Sequence, residues 1–93
     1  MALETIPYDT AEFLDTPGRI AAYLALSFEE DDASEIRSAL DTVARAKGMT
    51  ALERETGISR EALYKAFGDN GNPTLNTLLG VFKALGLKLS VAA

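Results

Sequence analysis

The 93-residue chain has no histidine, no cysteine and no tryptophan, and only three prolines. Without histidine or cysteine there is no imidazole acid–base relay, no thiol nucleophile and no ordinary zinc site. The lack of cysteine also leaves no disulfide and fits a reducing compartment. No apolar run approaches the ~20 residues needed to span a bilayer. The stretch from Met1 to Pro7 carries neither a basic start nor an apolar signal core. A cytoplasmic protein without membrane contact is expected. Carboxylates and lysines remain as chemistry, but nothing pairs them, so no enzyme activity, cofactor or metal is expected.

What is present describes one folded unit. Hydrophobic residues make up 47% and charged residues 25% of the chain, enough apolar material for one modest core over residues 1–93. The net charge of −5 is unevenly spread. Residues 1–44 hold Arg19 and Arg37 against ten carboxylates, a balance of −8. Residues 45–93 hold seven bases against Glu53, Glu55, Glu61 and Asp69, a balance of +3. Such asymmetry fits two faces with two partners, although acids that only keep the front half soluble would give the same numbers.

Helix punctuation is frequent. Thr16-Pro17 reads as an N-cap followed by proline at the first helical position, and Ile20, Tyr23, Leu24 and Phe28 then follow at helical spacing. Glu29-Glu30-Asp31-Asp32 is better explained as a solvated helix junction than as a metal site, and Asp32 with Glu35 has capping-box spacing. A second helix over about 33–47 presents Ile36, Leu40, Val43 and Ala44, and Gly48 stops it. Thr50 with Glu53 is a further capping-box pattern opening a short third helix, and Ser59 caps a fourth over 60–67. After the loop Gly68 to Pro73, Asn72 and Pro73 open a fifth helix with the stripe Leu75, Leu78, Leu79, Phe82 and Leu85. Gly86 closes it, and Leu87 to Val91 alternates like a short strand. The segment 1–47 is thus an acidic front, and 48–93 carries the rest.

Two short helices joined through Gly57, with Ser59 as a cap just beyond, have the helix-turn-helix layout. Leu52, Ile58 and Leu63 are spaced to fill the wedge between them. At about 100° per residue from Arg60, Tyr64 falls near 40°, Glu61 near 100° and Lys65 near 140°. Ala62, Leu63, Ala66 and Phe67 fall on the other half. The polar half suits phosphates and base edges, with arginine able to bind guanine through two hydrogen bonds. Thr50, Ser59, Arg60, Glu61, Tyr64, Lys65, Asn70 and Asn72 are the residues expected to face DNA, although turn and cap roles explain the two asparagines equally well. Reading two half-sites requires a two-fold pair, so a homodimer built on the fifth helix and the tail is expected.

A resemblance then becomes specific. Ala44 to Thr50, Glu55 to Glu61 and Leu63 to Phe67 resemble the addiction-module antidote family, antitoxins of the HigA type in the Xre/lambda-repressor-like group. Gly71 to Thr74, Lys83 to Leu89, and in the front half Tyr8-Asp9, Leu14 and Ile20 to Leu24 resemble the family too. One residue departs. Four positions before the turn glycine the family usually carries alanine where two helices cross, and this chain has Glu53.

The resemblance implies an all-α fold: a five-helix lambda-repressor-like helix-turn-helix domain with a short C-terminal strand. It also implies a protein that neutralises a co-encoded basic toxin of the RelE/ParE superfamily and represses the shared operon by binding operator DNA. The toxin is expected to contact the segment from Tyr8 through the second helix, where an acidic surface would speed association with a basic partner. A free-standing repressor without a toxin shares every DNA-binding argument.

Overall fold

The structure, a computed structural model, describes residues 13–93. Over those residues it is all-helical, with α1 Pro17–Glu29, α2 Ala33–Lys47, α3 Met49–Thr56, α4 Arg60–Phe67 and α5 Leu75–Ala84. The expected partner-facing start at Tyr8 and Asp9 lies outside the described residues.

The first two helices begin where their side chains can satisfy free backbone donors. The Thr16 hydroxyl accepts from the N–H of Arg19 at 3.2 Å, with Pro17 at the first helical position. Asp32 Oδ1 accepts from the N–H groups of Ser34 and Glu35 at 2.9 and 3.4 Å. The acidic junction turns at Asp31, whose φ is 55°. Among the described residues no group of carboxylates is arranged to hold a metal ion.

Two expected starts are corrected. No capping box opens α3: Gly48 both ends α2 and begins α3. Its N–H donates to Ala44 O at 2.9 Å, and its own carbonyl accepts from Leu52 N–H at 3.0 Å. Thr50 therefore sits inside the first turn, and Glu53 is released from any capping role there. At α5, Asn72 and Pro73 lie outside the helix. Proline favours extended backbone at the residue before it, and Thr74 takes over as cap, its hydroxyl accepting from Thr77 N–H at 3.1 Å.

The core is one cluster in which α3 touches α2, α4 and α5. Leu52 of α3 and Leu63 of α4 are fully buried, as the wedge between these helices requires, and Phe67 joins them. Val43 and Ala44 close the cluster from α2, and Ile20 and Leu24 from α1. Burying each of the leucine, isoleucine, valine and phenylalanine side chains stabilises by about 1.5–3 kcal/mol over leaving it in water. Arg37 ties α2 to the end of α4, its Nη1 donating to Gly68 O at 2.8 Å.

The fifth helix differs from its expected stripe. Val81, Phe82 and Leu85 are buried, with Leu78 beside them, but Leu75 and Leu79 are 67% and 47% exposed. Starting the helix at Leu75 lets Leu78, Val81, Phe82 and Leu85 form the inward row at helical spacing, which leaves Leu75 and Leu79 on another row. Leu87 N–H donates to Phe82 O at 2.8 Å and Gly86 N–H to Lys83 O at 3.1 Å, the paired bonds of a Schellman stop. The short strand expected over Leu87 to Val91 does not form in the single chain. Alternation alone supplies no ladder; a strand needs a neighbour to bond with. No helix among the described residues is long and apolar enough to cross a membrane.

Candidate nucleic-acid interface

The unit formed by α3, Gly57-Ile58-Ser59 and α4 holds most of the residues expected to meet DNA. At the end of α3 the Gly57 N–H donates to Glu53 O at 2.9 Å, and Gly57 itself is left-handed, with φ 78°. Thr56 bridges the turn: its hydroxyl donates to Leu52 O at 2.6 Å and accepts from Ile58 N–H at 3.1 Å. Ser59 caps α4 by accepting from Ala62 N–H at 3.1 Å. The hydroxyl of Ser59 is therefore already engaged as an acceptor.

All eight expected residues are exposed: Thr50, Ser59, Arg60, Glu61, Tyr64, Lys65, Asn70 and Asn72. They do not form one uniform surface. On α4 the buried residues are Leu63 and Phe67, so the outward direction passes through Lys65 and Glu61. Ala62 was assigned to the apolar half but is exposed, because the buried stripe is narrower than half the helix. Arg60 and Tyr64 flank the stripe and are met by side chains of α2 and α3. The Arg60 Nη1 donates to Thr50 Oγ1 at 3.4 Å, and its Nε lies 3.8 Å from Glu53 Oε1. Tyr64 carries the guanidinium of Arg45 over its ring at 5.0 Å from the centroid, a cation–π arrangement. Asn70 sits in the turn after α4 with φ 62°, so its backbone role is clear.

Arg45 was not among the expected residues. Its Nε donates to Asp41 Oδ2 at 3.0 Å, and this hydrogen bond, with the Asp41 charge, holds the guanidinium above its ordinary pKa. The i, i+4 spacing of Asp41 and Arg45 was visible in the sequence. The stacking on Tyr64 was not, because it joins two helices far apart in the chain.

Glu53, where the resemblance leads to the expectation of alanine, is also placed. The Glu53 side chain is 44% exposed and turned away from the core, so the crossing of α3 and α4 accommodates it. Lys47 meets Glu55 at 3.6 Å, so three bases of this region, Arg45, Lys47 and Arg60, each have a carboxylate beside them. Among the described residues Arg54 and Lys65 take part in no ion pair. The face can accept anions, but with most of its positive charge already balanced from within.

Comparison with known proteins gives two matches. Residues 4–93 fit the model of a family described as "probable addiction module antidote protein". An uncharacterized protein of Haemophilus influenzae is 45% identical over 84 residues, covering 90% of this chain and 87% of that relative. No solved structure matches.

Proposed function

The chain belongs to the probable addiction module antidote family, and from that membership we propose that it is the antitoxin of a type II toxin–antitoxin module. It neutralises a basic toxin of the RelE/ParE superfamily and represses its own operon by sequence-specific binding to operator DNA. It acts as a cytoplasmic homodimer without catalytic activity of its own. Its DNA-binding unit is a lambda-repressor-like helix-turn-helix of the HigA type, in which α4 enters the major groove.

One observation supports this reading above the others. The three-residue turn at Gly57 sets α4 across α3 with Leu52 and Leu63 filling the wedge, and leaves Arg60, Glu61, Tyr64 and Lys65 exposed on one helix. Arginine and lysine at those places suit base edges and phosphates. Leu75 and Leu79, exposed on α5, supply an apolar face for a second copy, which two half-sites about one helical turn apart would need. The acidic front serves the second partner: Glu29 at the end of α1 and Glu30, Asp31 and Asp32 in the junction to α2 are exposed and take part in no ion pair among the described residues. Such a surface raises the rate of meeting a basic toxin.

The test has two arms. Gel shifts on the DNA preceding its own gene should show specific, salt-dependent binding. Co-expression with the neighbouring gene product should restore growth that the product alone arrests. Binding without rescue would leave a free-standing repressor; rescue without binding would leave an antitoxin that does not act on DNA.

A further inference from the structure

Glu53 lies at the joint between α3 and α4 and reaches Arg60 twice. Its Oε2 accepts from the backbone N–H of Arg60 at 3.4 Å, and its Oε1 lies 3.8 Å from Arg60 Nε. Thr50, one turn earlier in α3, accepts from Arg60 Nη1 at 3.4 Å. Arg60 is the first residue of α4, so its N–H has no partner within the helix. A carboxylate there also meets the positive end of the helix dipole. Together these contacts lay the arginine back along α3.

We propose that Glu53 is a positioning residue that sets the specificity of DNA binding, holding Arg60 against α3 and suppressing its use as a general phosphate contact. This rests on the DNA-binding reading above. A guanidinium has five N–H donors. With Nε turned to Glu53 and one Nη1 hydrogen given to Thr50, the Nη2 side remains open. A phosphate approaching that side also meets the carboxylate, a charge of its own sign. The edge of a guanine offers two neutral acceptors and meets no such repulsion. Glu53 therefore weakens non-specific contact more than base contact. The pair is exposed, at 58% for Arg60 and 44% for Glu53, and exposed pairs are weak in water. It biases the arginine and does not lock it.

The experiment titrates the full chain and its Glu53→Gln, Glu53→Ala and Arg60→Ala variants, with both double variants. The probes are a duplex from upstream of its own gene and a random-sequence duplex, at several salt concentrations. With Arg60 present, both Glu53 variants should bind the random duplex about eightfold more tightly at ~0.1 M salt, with the salt slope steeper by about 0.9, the effect of one added phosphate contact. Their gain on the upstream duplex should be smaller, so the ratio between the two falls. With Arg60→Ala, neither Glu53 change should matter. Alanine favours helix strongly, so Glu53→Ala keeps α3 formed should the glutamine variant loosen the joint. Unchanged binding to the random duplex would overturn the proposal, and so would an equal gain without Arg60, which would make Glu53 a bare repelling charge. Wild-type chain that binds neither duplex removes the DNA reading itself. Wild-type chain that prefers the upstream duplex, with variants that behave like it, removes only the role given to Glu53.

Discussion

Two glycines near the ends of α4 should respond very differently to one added methyl group. Gly57 has φ 78°, and a Cβ there would meet nothing within 4 Å. Only the left-handed backbone opposes Gly57→Ala, at about 1–2 kcal/mol. Restricting the unfolded chain offsets about 0.4–1 kcal/mol of that. The net loss should be about 1 kcal/mol, or about 4–8 °C in Tm for a domain of this size. At Gly71 the added Cβ would lie 2.3 Å from Ala66 O, 2.5 Å from Lys65 O and 2.7 Å from Ala66 C. All three are backbone atoms and cannot swing aside. Gly71→Ala should cost about 3 kcal/mol, the upper end of overpacking, and about 12–24 °C. Thermal melts followed by circular dichroism measure both. If Gly71→Ala is as mild as Gly57→Ala, the backbone at Gly71 does not lie against the last turn of α4, and the predicted difference between the two glycines is refuted.

Three further outcomes are expected. Arg60→Ala should lose about 1–3 kcal/mol of specific DNA binding if it contacts a base through two bonds, while Lys65→Ala should weaken all sequences alike and flatten the salt slope by about one; titrations at several salt concentrations read both. Neutralising Glu29, Glu30, Asp31 and Asp32 should leave operator affinity unharmed and slow association with a basic partner, which stopped-flow mixing with the neighbouring gene product would reveal. Leu75→Ser with Leu79→Ser should weaken self-association and operator binding together, whereas light scattering that still shows a tight dimer would move the interface off α5.

Much of this fold was legible in the residues, and the reasons are local. Thr16-Pro17, Asp32, Ser59 and Gly57 act on donors and carbonyls within a turn of themselves, so their roles follow from spacing alone. The errors share a different cause. Thr50 with Glu53 satisfies the capping-box pattern, yet Gly48 had already started the helix, and a pattern cannot say which of two starts wins. Leu75 and Leu79 carry the right periodicity for a core, but which row turns inward depends on where the neighbouring helices lie. Within the candidate interface the exposure of every expected residue was legible. The pairings of Arg60 with Glu53 and of Arg45 with Tyr64 were not, because they depend on how helices cross.

The single-residue joint at Gly48 has a consequence for how this molecule can change over time. With no spare length between α2 and α3, one inserted or deleted residue would turn α3 by about 100° about its axis. It would carry α4 with it and swing Arg60 and Lys65 away from their present direction relative to the acidic front. Exposed side chains on either half can therefore be exchanged while the number of residues between them stays fixed. The acidic front and the exposed face of α4 are kept in constant geometric phase by a joint too short to absorb an error, and divergence here should proceed by substitution rather than by indel.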